Sequence, residues 1–441
     1  MQRTTFFRPF RRTLPVVIFH FLLCIFVTGG LAADGRLQPA DLAYLGAFRL
    51  PEGSGNSDWT YSGNALAYYP EGDRAGPDDG FPGSLFGTGN DTQLFVSEID
   101  IPVPKISTAR RLEDLNSSRT LQPFTNVFVK MVPYLEQPRV GMTCLPDLTG
   151  EGGGRIYFAI GMHLQDTGFD PSHGWFSTDL SRSQPAGLWV FNGYTGYVTN
   201  DYLCRIPKAW ADKYTHGQYL ASGRAREGPW AGGGPALFAW APWKDGNPPA
   251  PGVRLQHITP LLLYGHQPPG IPEISSRPGQ RLPDNADADR YRGCEWLDAG
   301  HRSAVIFIGT KAVGASWYGF ANGVRWDYGC GQNCPDVPEW PYDNRGFWAD
   351  DFRPQILFYD PRDLGAVADG RLETWAPEPY AVMDLSPFFF EPDYTREDLV
   401  NYKRDFVGAM SYDPQRQLLY VMEPLVEEDG RSLVHVFAVQ S

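Results

Sequence analysis

Five times along this chain a glycine opens a short run that reads as a β-strand. The runs are Gly63-Asn64-Ala65-Leu66-Ala67-Tyr68, Gly141-Met142-Thr143-Cys144-Leu145, Gly234-Pro235-Ala236-Leu237-Phe238-Ala239, Gly293-Cys294-Glu295-Trp296-Leu297 and Gly408-Ala409-Met410-Ser411-Tyr412. A turn and a strongly apolar strand usually follow. The clearest pair is residues 64–87 and 409–423, each a strand, a turn containing proline and a second strand. That is how a β-propeller blade looks in sequence. Each blade is a small antiparallel sheet whose innermost strand crowds the axis, where glycine and alanine fit and larger residues do not.

The glycines are 78, 93, 59 and 115 residues apart. Common propeller repeats are roughly 40–50 residues long, so either the loops are long or some blades lack the signal. The expected fold is an all-β propeller of five blades, with six or seven open and an irregular β-sandwich as the rival. Composition agrees. The 48 Gly and 39 Pro interrupt helices, and 27 Phe, 22 Tyr and 13 Trp favour strands. Only short helices are expected, at residues 207–212 and 362–367. Residues 42–50 and 432–439 both read as strands, and a blade built from both termini would close the ring and remove its edges. A single domain over residues 33–441 follows.

Residues 1–32 read as a signal peptide. Arg3, Arg8, Arg11 and Arg12 precede an apolar stretch from Val16 to Val27, and Gly30-Leu31-Ala32 supplies small residues for cleavage. Arg11-Arg12 leaves the twin-arginine route open beside the general one. The expectation is a secreted or periplasmic monomer with no transmembrane anchor after cleavage. The formal net charge is −13, and losing four arginines takes it to −13 − 4 = −17. Such an excess argues against nucleic acid as a partner. In an oxidising compartment Cys330 and Cys334 are expected to form a small-loop disulfide, with zinc as the rival reading. Cys144 and Cys204 could pair and leave Cys294 odd; spacing leaves this open.

Several stretches resemble an uncharacterised family of exported bacterial proteins with propeller-like repeats. They include residues 201–211, 234–239, 246–252, 304–311, 355–367 and 418–425. The resemblance implies the fold and export, and carries no catalytic residues.

Propeller ligands bind where loops and inner-strand ends meet, so candidate residues flank the five glycines. Asp58, Glu227, Glu295 and Asp405 are the candidate catalytic carboxylates, since glycoside hydrolysis needs two carboxyl groups at a defined separation. Trp59, Tyr61, Arg139, Trp230, Tyr291, Arg292 and Arg404 are the candidate substrate-binding residues. Rings stack on pyranose faces, and charged groups bond hydroxyls or uronic carboxylates. His163, Asp166, Asp170 and His173 form a second cluster that suits a metal or a lyase base, although a satisfied loop histidine is the plainer reading. Asp284, Asp287 and Asp289 lie in an acidic turn that lacks the pattern of an EF-hand calcium loop. No Walker A loop, His-Glu-x-x-His sequence or Gly-x-Ser-x-Gly elbow is present. The leading expectation is action on an extracellular polysaccharide or oligosaccharide, as hydrolase or lyase. A non-catalytic glycan- or protein-binding propeller and a calcium-dependent ester or lactone hydrolase are the alternatives. No metal ligand set or cofactor is assigned.

Overall fold

The computed structural model describes residues 35–73, 79–128, 131–132, 136–146, 154–163, 171–226, 228–327, 329–393 and 396–441. The expected leader lies outside the described residues. No helix among them is long and apolar enough to cross a membrane.

Five small sheets stand in a ring, the arrangement of a five-bladed β-propeller. Strand β1 (Leu42–Arg49), the first among the described residues, belongs to the last blade. Blade one is β2 (Leu66–Tyr69), β3 (Ser84–Thr88), β4 (Val96–Asp100) and β5 (Thr120–Thr125). Blade two is β6 (Arg139–Leu145), β7 (Arg155–Gly161), β8 (His173–Ser177) and β9 (Ala186–Phe191). Blade three is β10 (Tyr202–Arg205), β11 (Leu220–Gly223), β12 (Leu237–Trp240) and β14 (Ile258–Leu262), while β13 (Arg254–Leu255) pairs in parallel with β9. Blade four is β15 (Arg290–Ala299), β16 (Arg302–Gly319), β17 (Gly346–Tyr359) and β18 (Ala381–Asp384). Blade five is β19 (Met410–Asp413), β20 (Leu418–Glu423), β21 (Leu433–Val439) and β1. Strand β1 pairs with β21 from Leu42 opposite Val439 to Arg49 opposite Leu433, so the termini do close the ring. Helices α1 (Gly196–Thr199), α2 (Lys208–Tyr214) and α3 (Pro361–Ala368) are short.

The hydrophobic core is divided into layers, one between each pair of neighbouring blades, and strand periodicity supplies them. Side chains alternate across a strand. In β20, Leu419 and Val421 enter the layer shared with blade four, while Leu418, Tyr420 and Met422 enter the layer shared with blade one. In β16, Ile306 and Ile308 face blade five, and Val305 and Phe307 face blade three. A strand sandwiched between two neighbours is buried on both faces, which is why these strands read as unbroken apolar runs. Turn chemistry joins them. Between β19 and β20, Asp413 Oδ1 accepts from the backbone N–H of Gln415 and Arg416, closing the turn around Pro414.

Four of the five glycine-led runs are inner strands, β2, β6, β15 and β19. The fifth is corrected: Gly234 leads into β12, the third strand of blade three, and the inner strand there is β10. Strand β10 contains no glycine. Its bulk is accommodated by Gly141 on the neighbouring β6, where an added Cβ would lie 2.4 Å from Leu203 N.

Alternation also decides the cysteines. Cys330 and Cys334 are disulfide-bonded. Cys144 and Cys204 are not paired, because Cys144 points into the layer between blades one and two and Cys204 into that between three and four. Cys294 enters the same layer as Cys204.

Candidate functional site

The inner strands begin at one end of the central channel and finish at the other, so its two mouths differ in chemistry. Arg139 is the first residue of β6 and Arg290 the first of β15; Asp201 immediately precedes β10. Asn64 and Asp405 lie just ahead of β2 and β19. Tyr61, Asp91 and Tyr402 share the wall of this cavity with Arg139 and Arg292. Arg292 sits where the register of β15 against β16 slips, a bulge that re-aims its side chain.

Asp405 is enclosed by arginines. Its carboxylate accepts from Arg290 Nη1 at 2.8 and 3.0 Å and from Arg292 Nη1 at 2.9 Å. Arg139 Nη2 lies at 3.6 Å and Arg404 Nε at 4.0 Å. Burial alone would raise the Asp405 pKa, but Arg290, Arg139, Arg292 and Arg404 together hold it well below the carboxylate range. On the blade-three side, Asp201 Oδ2 accepts from Arg226 Nε at 2.6 Å, with Arg224 Nε at 3.7 Å. Among the described residues, Arg139, Arg290, Arg292 and Arg404 thus surround Asp405, while Arg224 and Arg226 reach Asp201.

Crowding these guanidinium groups in a buried place has a cost that shows in the groups themselves. Burial and the nearby Arg139 charge push the Arg292 pKa down to about 9 against the pull of Asp405. Arg139 is lowered by burial and by Arg226 and Arg290, again against Asp405. Its Nε finds no acceptor among the described residues. Asp91 is raised by burial despite Arg139 and Arg292. Tyr402 is pushed up to about 12, first by burial and then by Asp91 and Tyr61. The cavity is small, about 20 Å³, room for one water or the end of a carboxylate and for no whole sugar ring.

The opposite mouth gathers Tyr68, Thr143, Arg205, Glu295 and Ser411, one residue from each inner strand. Glu295 is 4% exposed. Burial raises its pKa to about 8, although Arg205 and the backbone N–H groups of Trp296 and Tyr412 oppose this. A cavity of about 240 Å³ continues outward past Pro207 and Trp296.

These positions sort the candidates. Arg139, Arg292, Tyr61 and Asp405 meet at the arginine mouth, and Arg404 stands behind them with its guanidinium 4.3 Å over the Trp348 ring. Glu295 is at the other end and forms no catalytic pair with Asp405, which is itself an arginine-bound anion with no capacity to donate a proton. Asp58 accepts from the Thr60 backbone and hydroxyl and closes a turn. Trp59 is fully buried against Phe124, and Tyr291 is buried between blades three and four, so neither ring offers a stacking face. Trp230 is partly exposed and meets Tyr197 edge-on at 5.5 Å. Glu227 lies outside the described residues.

His173 is fully buried, stacked on Phe191 at 4.1 Å and bonded to Ser172, Ser222 and the Thr199 carbonyl. Burial pushes its pKa down to about 3 despite the Thr199 bond. It is a core histidine; its expected companions Asp166 and Asp170 lie outside the described residues. In the acidic turn, Asp287 pairs with Arg281 and Asp289 with Lys311. No group of carboxylates, histidines and cysteines among the described residues is placed to hold a metal ion.

Sequence reasoning missed Asn64, Asp91, Asp201 and Tyr402. Asn64 and Tyr402 adjoin residues that it did select. Asp91 carries no signal beyond a polar turn, and Asp201 follows from β10, which no glycine announces. No protein-family model matches the chain, and no curated protein matches it.

Proposed function

We propose that this propeller acts on an extracellular acidic saccharide, whose uronate carboxylate docks at the arginine mouth of the channel. The observation that carries the reading is the pair Arg139 and Arg292 in the wall of a small gap, with Arg139 Nε lacking an acceptor among the described residues. Charge-assisted, bidentate geometry is what guanidinium groups offer to carboxylates. A bound carboxylate would offset the burial and the Arg139 repulsion that together lower Arg292.

Recognition is supported more directly than cleavage. A hydrolase based on Glu295 and Asp405 finds no support, because the two groups occupy opposite mouths. A calcium-dependent esterase needs carboxylate and carbonyl oxygens converging on the axis, whereas the donors at this mouth are guanidinium nitrogens.

The test is titration of glucuronate and galacturonate into the purified protein, with the corresponding neutral sugars as controls. Saturable uronate binding is expected that weakens with ionic strength and falls on the order of tenfold in Arg139→Gln. Equal binding of neutral sugars, or full affinity in Arg139→Gln, overturns the reading. Absorbance from unsaturated uronic products in oligosaccharide samples would extend binding to lyase chemistry.

A further inference from the structure

Beyond Thr310 and Pro354, strands β16 and β17 run on past the end of β15, from Lys311 opposite Arg353 to Gly319 opposite Gly346. Strand β15 starts at the arginine mouth, so this two-stranded arm rises from that mouth. It is anchored on both sides along its length. Toward blade five, Arg404 Nη2 donates to Asn344 Oδ1 at 3.0 Å, Asn401 Nδ2 to Asp343 Oδ1 at 3.1 Å, and Lys403 pairs with Asp351 at 2.8 Å. Toward blade three, the Phe347 ring lies against Gly228.

The loop at the tip contains the Cys330–Cys334 disulfide and presents Trp340, 68% exposed, beside exposed Val337. Trp340 is three residues from Asp343, which bonds the residue preceding Tyr402 in the mouth wall. At ~3.3–3.6 Å of chain per residue, the Trp340 Cα lies within about 11 Å of the Asp343 Cα. Two exposed acidic residues, Asp336 and Glu339, precede Trp340 in the same loop. A ring with acids beside it accepts hydroxyl donors and repels a second uronate.

We propose that the arm is a platform for a neutral sugar, and that the ligand is a mixed saccharide. One uronate enters among the arginines, and a neutral unit of the same chain stacks on Trp340 with its hydroxyls donating to Asp336 and Glu339. The inference rests on the uronate reading above and narrows its substrate class, from acidic saccharides to neutral chains carrying isolated uronates.

The experiment is calorimetric titration of the whole protein with three probes of known composition. These are free glucuronate, xylo-oligosaccharide carrying one glucuronate, and oligogalacturonate of the same length, with unsubstituted xylo-oligosaccharide as the neutral control. The decorated oligosaccharide is expected to bind about tenfold tighter than free glucuronate, a gain that corresponds to ~1.4 kcal/mol. Oligogalacturonate is expected to show no such gain. Trp340→Ala, a change at an exposed side chain, should erase the gain and leave glucuronate binding untouched.

An equal gain with oligogalacturonate, or a gain that survives Trp340→Ala, overturns the proposal and leaves the arginine mouth standing. Binding of free glucuronate and of the decorated chain that ignores Arg139→Gln overturns the mouth reading instead. A dimer in gel filtration that Trp340→Ala dissolves would assign the ring to a second copy of the chain and also overturn the platform.

Discussion

Asp405 and Glu295 show how two acidic residues near the same channel reach opposite states. Asp405 is surrounded by guanidinium groups and stays charged; Glu295 is buried with one arginine nearby and is neutral at pH 7, with its pKa raised to about 8. A raised carboxyl pKa means that the folded state binds more protons than the unfolded chain between the two values. The stability it contributes is fully present below the ordinary pKa of 4.5 and is lost as pH rises through about 8. A tenfold difference in proton affinity between the folded and unfolded chain corresponds to ~1.4 kcal/mol, so the effect is on the order of a few kcal/mol. Urea titrations at pH 5 and pH 8.5 should show wild type losing stability toward the higher pH. In Glu295→Gln that loss should largely vanish; an identical decline in the variant would show that Glu295 does not cause it.

At the scale of the strand, crowding near the axis is resolved between neighbours. Gly141 in β6 faces the backbone of Tyr202 and Leu203 in β10, and an added Cβ would meet three backbone atoms at 2.4–2.5 Å. Backbone cannot rotate away as a side chain can. Gly141→Ala should therefore destabilise by ~1–3 kcal/mol or more, read as a lower urea midpoint with unchanged slope. An unaltered midpoint would mean that the inner strands have slack. The same geometry explains what was legible at this scale. Gly63, Gly141, Gly293 and Gly408 lead inner strands because they start in the crowded region. Gly234 leads a third strand because the Tyr264 ring, 2.5 Å from its would-be Cβ, makes the same demand far from the axis. A glycine reports close approach, not what approaches.

For the whole molecule, the closure of blade five ties the N-terminal strand to the C-terminal hairpin. Tyr44 on β1 bonds His435 on β21, which bonds Glu423 on β20, so the closing strands share one buried polar chain. Truncation after Gly430 removes β21, leaves β1 without a partner and exposes the edge of β20. The truncated protein should lose its cooperative thermal transition and aggregate. A sharp calorimetric transition near the wild-type temperature would show that four complete blades suffice.

The sequence by itself pointed to the all-β class, the terminal strands that close the ring, the small-loop disulfide and two short helices, expected at residues 207–212 and 362–367 and found at 208–214 and 361–368. Those depend on periodicity, turn chemistry and spacing, which are local. Tertiary structure alone decided that β10 is an inner strand, that Cys144 faces away from Cys204, and that Glu295 and Asp405 occupy opposite mouths. It also brought Asp91 and Tyr402 beside Arg139 and Arg292. In each case the deciding quantity is the register and facing of a strand against another blade, and neighbouring blades meet through residues far apart in the chain.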